Sequence, residues 1–493
     1  MTDINQKRRN LIKGFGTLPF VGALTALHAR EALAAGTTER VSSPYGAIAP
    51  VNDLTTGLPL LQLPAGFTYK SYGWTGDLMA NGLPTPGAHD GMGVVRTRKL
   101  GRSTEIVLVR NHELGTGSDA SFFGAPAVYD NTPSSAGGSS YSAGGTTNLT
   151  FRDGNWIKTE PSLGGTRTNC AGGPTPWGTW LTCEEVGSDS VSAGGFKHGY
   201  VFEVTADPLQ TSAQPIVGMG RFAHEAAGID PTTGHVYLSE DSGGKSGLYR
   251  YVPVNTSGTP GSLAQGGVLQ MAKVVGQNNV SVIGAQLGDS HALEWVTVAN
   301  PDQNRGNATG LNGQVISNAS GPFVQGWQQG ALRMNRGEGI WYFGGKMYVM
   351  DTSGGPVAQG TIWEIDLASQ VMTCIYASPS TSVGTMGDNI TVSPRGGLLI
   401  CEDGSNITDE FGTGLRLMSL HDDGKVSIFA KNNINVTSAQ LTAVGKKASL
   451  AGDRRGNEFC GACFDPSGRY LFVNIQTPGI TFAITGPWTK GSL

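Results

Sequence analysis

Charge is scarce in this sequence. Only 15% of the 493 residues are Asp, Glu, Lys or Arg, and aromatic residues make up 8%. So little charge argues against a chain built from long solvated surface helices. With 34 basic against 38 acidic residues, the chain also lacks the positive excess that nucleic-acid binding needs. No apolar run is long enough for a stable membrane span: TLPFVGALTAL (17–27) is short and is interrupted by Pro19 and Gly22. Cysteine is limited to residues 170, 183, 374, 401, 460 and 463. The C-x-x-C spacing at 460–463 has no second pair to complete a zinc site, so those two are expected to be buried or disulfide-bonded.

What is abundant is glycine, 74 residues, with 25 prolines, spread along the chain rather than set at a fixed short period. This favours many short strands joined by tight turns. The N-terminus stands apart. Arg8 and Arg9 precede Leu11, Ile12 and Lys13, then the apolar stretch, then ALAAG (32–36) with its small residues. Residues 1–34 read as a twin-arginine export signal, which implies the twin-arginine export machinery as a partner, a periplasmic or secreted protein, and a mature domain over 35–493. Removing that segment takes away more basic than acidic residues, so the mature chain is the more acidic.

Six stretches follow one plan, an apolar run, a turn, a second apolar run and a polar ending. They are 89–113, 169–185, 224–241, 337–352, 387–403 and 461–476. β-branched residues and alternation suit strands, and D-P-x-x-G-type segments suit turns. Six degenerate hairpins at wide spacing predict an all-β six-bladed β-propeller with loop and short helical insertions. GGSSYSAGGTTN (137–148) is expected to be a loop, and VTSAQLTAVG (436–445) a short helix within an insertion.

In a hairpin, the start of the first strand and the end of the second lie together. Starts supply Asp90, Glu225, Glu338 and Asp388. Finishes supply Asn111, Glu113, Cys183, Glu184, Glu185, Glu240, Asp241, Asp351, Glu402 and Asp403. With the first strands lining a channel, these groups converge on one mouth, where so many carboxylates repel one another unless cations are bound. Carboxylates and amides suit calcium, and the Cys183 thiol beside them points to a transition metal.

The ordered set LVRNHE, GTWLTCEE, RFAHEAAGI, NRGEGIW and LFVNIQTPGITFAITGPW, behind the export signal, resembles the PhoX family of alkaline phosphatases. The resemblance runs through all six hairpins. It implies an exported six-bladed propeller that hydrolyses small-molecule phosphomonoesters at a cluster of ferric iron (Fe3+) and calcium. Carried over by motif, Cys183, Glu225 and Glu338 would bind iron, and Glu113, Asp388, Glu402 and Asp403 would help hold calcium. Glu184 and Asp241 are counted among the metal ligands. Arg336 would be the catalytic phosphate contact, with Asn111 as a second substrate contact. This chain has Gly337 where a proline is expected after the arginine. Two other readings stay open. One is a calcium-dependent lactonase-type propeller, and the other is a non-catalytic, metal-stabilised binding protein of the envelope.

Overall fold

The computed structural model describes residues 37–493, so the export signal read at 1–34 lies outside the described residues. The fold is nearly all-β. All six expected hairpins form. Their strands are β1 (His89–Leu100) and β2 (Ser103–His112), β3 (Asn169–Pro174) and β4 (Thr179–Glu184), β5 (His224–Ile229) and β6 (Val236–Glu240). They continue with β7 (Gly337–Phe343) and β8 (Lys346–Asp351), β9 (Gly387–Val392) and β10 (Leu398–Glu402), β11 (Phe459–Phe464) and β12 (Leu471–Ile475).

The first strand of each hairpin packs against the first strands of the hairpins before and after it, and β11 returns against β1. Close approach requires small residues along this inner circle. A Cβ on Gly339 would stand 2.7 Å from the backbone nitrogen of Ile390, and one on Gly461, whose φ is +60°, would stand 2.3 Å from the carbonyl of Asp90. The axis is nearly filled. A space of about 20 Å³ remains, lined by residues of all six hairpins, Gly91, Ala171, Ala226, Gly339, Asn389 and Gly461 among them.

Outer strands extend each hairpin into sheets of five, three, nine, six and four strands, so the six copies do not make six separate sheets. Strand Ser290–Val298 pairs with Gly267–Val274 on one side and with Val371–Ala377 on the other, which fuses the sheets of β5–β6 and β7–β8 at their outer edges. Early strands complete late sheets: Leu61–Pro64 pairs with Val426–Asn432, and Thr68–Tyr72 pairs with Ile480–Thr485. The apolar cores lie between consecutive sheets. Met350 and Ile362, for example, pack against Ile390 and Ile400. Strands such as β4 and β12 are therefore buried on both faces and read as near-continuous apolar runs.

The expected helix within 436–445 forms over Ser438–Ala443, closed by a capping box between Thr437 and Gln440. A further helix, Gly321–Gln328, is capped by the Ser320 hydroxyl. The segment 137–148 is not all loop. Gly144–Arg152 is a strand hydrogen-bonded to β2, because its β-branched Thr146, Thr147 and Thr150 outweigh the Gly- and Ser-rich composition just before them. No helix among the described residues is long and apolar enough to cross a membrane.

One irregularity recurs in every hairpin. After the pairs His89↔His112, Asn169↔Glu184, His224↔Glu240, Gly337↔Asp351, Gly387↔Glu402 and Cys460↔Asn474, the inner strand advances three residues while its partner advances two. This is a β-bulge, which kinks the strand and re-aims a side chain.

Candidate metal centre

The residue that follows each of those pairs on the inner strand is Asp90, Cys170, Glu225, Glu338, Asp388 and Gly461. Five of the six bulges thus carry, at one equivalent position, a side chain of a type able to bind a metal ion. Just past the outgoing strands stand Glu113, Glu185, Asp241, Thr352, Asp403 and Gln476. These two rings, joined by Glu458 just before β11, build a continuous belt. Its overlapping groups are Asp90–Glu113–Cys170, Cys170–Glu185–Glu225, Glu225–Glu338–Asp388 and Asp388–Asp403–Glu458, and within each group one ligand atom per residue lies within 4.8 Å of the others.

The belt is desolvated and self-repelling. Burial, with neighbouring carboxylates behind it, raises Asp90, Glu185, Glu225, Glu338 and Glu458 well above the usual carboxylate range. Burial and Asp403 push Asp388 up to about 7. The Cys170 thiol, raised by burial and by Asp90 and Glu225, sits 3.2 Å from Glu225 Oε1 and 3.5 Å from Asp90 Oδ2. Glu225 Oε2 is buried without any hydrogen-bond partner. Neutral donors relieve the ring at two places: Gln476 Nε2 donates to Glu113 Oε2 at 2.6 Å, and Asn389 Nδ2 donates to Asp388 Oδ1 at 3.0 Å.

Of the residues expected as metal ligands, the structure brings together Glu113, Glu225, Glu338, Asp388 and Asp403, and Asp90 and Glu185, expected at the same mouth, join them. The others go elsewhere, for reasons of register. In each outgoing strand the last residue faces back into its own sheet and the next one faces the mouth. Glu184 therefore accepts from the backbone N–H groups of Arg167, Gly199 and Tyr200 and sits 2.7 Å from His198 Nδ1. Glu402 is held bidentately by the buried Arg416, at 2.7 Å from both Nε and Nη2. Cys183 points the other way from Glu184, into an apolar core with Leu181, Val201 and Phe222. Asn111 is fully buried. It donates to the carbonyls of Cys170 and Ala171 at 2.8 and 2.7 Å and accepts from Trp180 Nε1 and Thr182 Oγ1, so it braces the Cys170 bulge rather than facing a substrate. Asp241 stays at the mouth but is taken up by Arg336, whose Nε and Nη2 donate at 2.8 and 2.6 Å. Arg336 Nη2 also lies 2.9 Å from Glu338 Oε1, and its side chain keeps 34% of its surface exposed.

His112 and His224 face away from the belt, toward the carbonyls of Gly87 and Gly220, and burial lowers both, so they stay neutral. All six cysteines are buried and free, including 460 and 463. The expected ligand set omitted Cys170, Asp90, Glu185 and Glu458. The signal for Cys170 lies in the hairpin starts themselves: HD, NC, HE, GE and GD place it in the same frame as four acids. Glu458 precedes its strand and shares no such frame.

A family model for alkaline phosphatase PhoX matches residues 43–162 and 142–479. No curated protein sequence matches the chain. Among solved structures, Pseudomonas fluorescens PhoX in complex with vanadate, a transition state analogue, is similar at 18% identity over 91% of this chain and 99% of its own, with a TM-score of 0.60. A gluconolactonase from Xanthomonas campestris aligns over 82% of this chain and 97% of its own at 12% identity, but its TM-score of 0.30 is too low to carry an argument.

A carboxyl whose pKa is higher in the folded than in the unfolded chain binds its proton more tightly in the fold. The belt therefore favours folding at low pH, and that advantage is lost as pH rises past about 4 and through Asp388's value near 7. Metal-stripped protein is expected to melt at a lower temperature at pH 8.5 than at pH 6, a loss on the order of a few kcal/mol, and divalent cations should restore most of it at pH 8.5. Scanning calorimetry with and without chelator checks this, and a metal-free melting temperature that rises with pH would contradict it.

Proposed function

This chain belongs to the PhoX family of alkaline phosphatases and is a phosphatase, and on that premise we propose that it hydrolyses phosphomonoesters at the mouth, with iron and calcium held by the acid belt. The observation that carries this reading is the repeated bulge, which delivers five ligating side chains to one ring. The donor set fits cations. It combines hard carboxylate oxygens with one thiol, its acids repel one another out of water, and Glu225 Oε2 lacks a partner. Cys170, Glu185, Glu225 and Glu338 suit iron, and Asp90, Glu113, Asp388, Asp403 and Glu458 suit calcium. When bound, such ions supply Lewis-acid charge to phosphoryl oxygens and to the attacking water.

The remaining work falls to the chain. Phosphoryl transfer needs positioning and charge stabilisation more than covalent help. Arg336 is fixed for this at both ends. Its backbone N–H donates to Asp351 Oδ1 at 3.1 Å, and Asp241 holds one edge of its guanidinium. The Nη1 group makes no hydrogen bond among the described residues, which leaves it for a phosphoryl oxygen. Asp241 is thus a positioning residue for Arg336.

The reading includes a six-bladed propeller, supported by the cyclic packing of the inner strands and the axial space lined from all six hairpins. It also includes export by the twin-arginine route to the periplasm or beyond, supported by Arg8 and Arg9. Changing both arginines to Lys should retain the protein in the cytoplasm. Undiminished periplasmic yield would argue for another route.

Two variants test the site, with metal content measured alongside hydrolysis of 4-nitrophenyl phosphate. Cys170→Ser should lower iron more than calcium, whereas Cys183→Ser should leave the ratio as it is. The reverse pattern would move the iron ligand back to Cys183. Arg336→Ala should keep its metals and lose about 30- to 1,000-fold in kcat/KM, the equivalent of about 2–4 kcal/mol. Unchanged kcat/KM would remove the arginine from the mechanism.

A further inference from the structure

Close in the chain to Asp241, and on a segment hydrogen-bonded to it, two cations make no ion pair with a carboxylate among the described residues, although the buried Glu240 lies near both. Lys245 lies four residues beyond Asp241, which an extended chain spans in about 14 Å at most. Its Nζ donates to the carbonyl of Asn318 at 2.7 Å and to that of Ser317 at 3.2 Å. Arg305 reaches the same residue: Nη2 donates to the Asn318 carbonyl at 2.5 Å and Nε to its Oδ1 at 3.1 Å. Asn318 itself holds a left-handed φ of +52°. Two positive groups thus converge on one carbonyl oxygen, and neither makes an ion pair with a carboxylate among the described residues. The acids nearby already accept from other donors. Glu240 accepts from Tyr249 Oη at 2.7 Å and from Gly247 N at 3.1 Å, and Asp189 accepts from Arg221 Nη1 at 2.7 Å and from the backbone of Arg305.

The pair is also held in fixed relation to Arg336. Gly244 N donates to the carbonyl of Asn335 at 3.0 Å and to its Oδ1 at 2.8 Å, and Arg333 Nη1 donates to the Gly244 carbonyl at 2.9 Å. Asn335 is the residue before Arg336. The two segments that carry Lys245 and Arg336 are therefore stitched together.

We propose that Lys245 and Arg305 form a subsite for a second anionic group, so that the preferred substrates are phosphate monoesters whose organic part bears a carboxylate or another phosphoryl group. The chemistry is complementary: a guanidinium fork and an ammonium point charge side by side accept an oxyanion, and an oxyanion there relieves their mutual repulsion. Burial and the neighbouring arginine press Lys245 toward losing its proton against the opposing pull of Glu240, and a bound anion adds to that pull. The proposal rests on the reading of Arg336 as the phosphate contact, which sets where the first anion lies.

The test compares three esters on metal-replete full-length protein: glycerol 2-phosphate, with one anionic group; 3-phosphoglycerate, with an added carboxylate; and fructose 1,6-bisphosphate, with an added phosphoryl group. Lys245→Ala and Arg305→Ala should each cut kcat/KM for one or both two-anion esters about 5- to 20-fold, chiefly through KM, while glycerol 2-phosphate changes less than twofold. Lys245→Glu should deepen that selective loss, and raising salt should narrow the wild-type preference. Which two-anion ester suffers more identifies the second group. Equal losses on all three esters, or none, would overturn the subsite. Wild-type turnover of glycerol 2-phosphate with its Arg336→Ala control reports separately on the Arg336 reading, so the two can fail independently.

Discussion

Like charges held together out of water set the terms for the rest of this molecule. Carboxylates at the distances found in the belt cannot all stay ionised in a desolvated ring without a compensating charge. The inner strands are bulged, packed backbone to backbone through glycine, and closed around a nearly filled axis. That rigidity keeps the acids from moving apart, because relaxing one strand would press on the backbones of its neighbours. The strain is electrostatic and local, and a cation removes it where a shift in the fold does not.

A second tier of acids shows how the same chemistry is silenced one residue away. Glu184, Glu240, Asp351 and Glu402 occupy the adjacent position in four outgoing strands, and each is satisfied by donors from its own sheet. Arg416 neutralises Glu402, and His198 bridges Glu184 and Asp130. Removing either partner from such buried pairs would leave an uncompensated charge, commonly a cost of about 3–5 kcal/mol. These inner pairs thus hold the walls. Of the outer acids, Asp241 has Arg336, while Glu113, Glu185 and Asp403 have no such cation among the described residues and are left for ions.

The sequence made the hairpins legible because each couples two apolar runs to a turn and a polar ending, and every one of them forms. It also made Asp90, Glu113, Glu185, Glu225, Glu338, Asp388 and Asp403 legible as members of one mouth. It did not reveal which residue of an acid pair faces the mouth. That choice between Glu184 and Glu185 depends on strand register, a single-residue offset that composition does not encode. Cys183 drew attention because it adjoins two glutamates in the chain, yet period-two geometry turns it into the core. The bulge gives Cys170 its place; the frame shared by the hairpin starts marks the residue in the sequence, but the bulge itself is visible only in the pairing of two strands. The strand at Gly144–Arg152 was obscured by the Gly- and Ser-rich run before it, and the fusion of two sheets through Ser290–Val298 depends on edge pairing with a strand far along the chain.

The pairing of Thr68–Tyr72 with Ile480–Thr485 bears on how the molecule comes into being. Tyr69 meets Ile484 across almost the whole length of the chain, and Leu61 meets Asn432 in the neighbouring sheet. As the polypeptide leaves the ribosome, the early segment has no edge to dock on until nearly the last residues are made. An early-made strand waits for the last-made one, and the closing entropy of that very long loop must be met at the end of synthesis. Glu458, just before β11, completes the Asp388–Asp403–Glu458 group, so that end of the belt stays unfinished until then. Cation capture is thereby tied to completion of the chain, and a prematurely terminated product would lack both the seam and a finished belt.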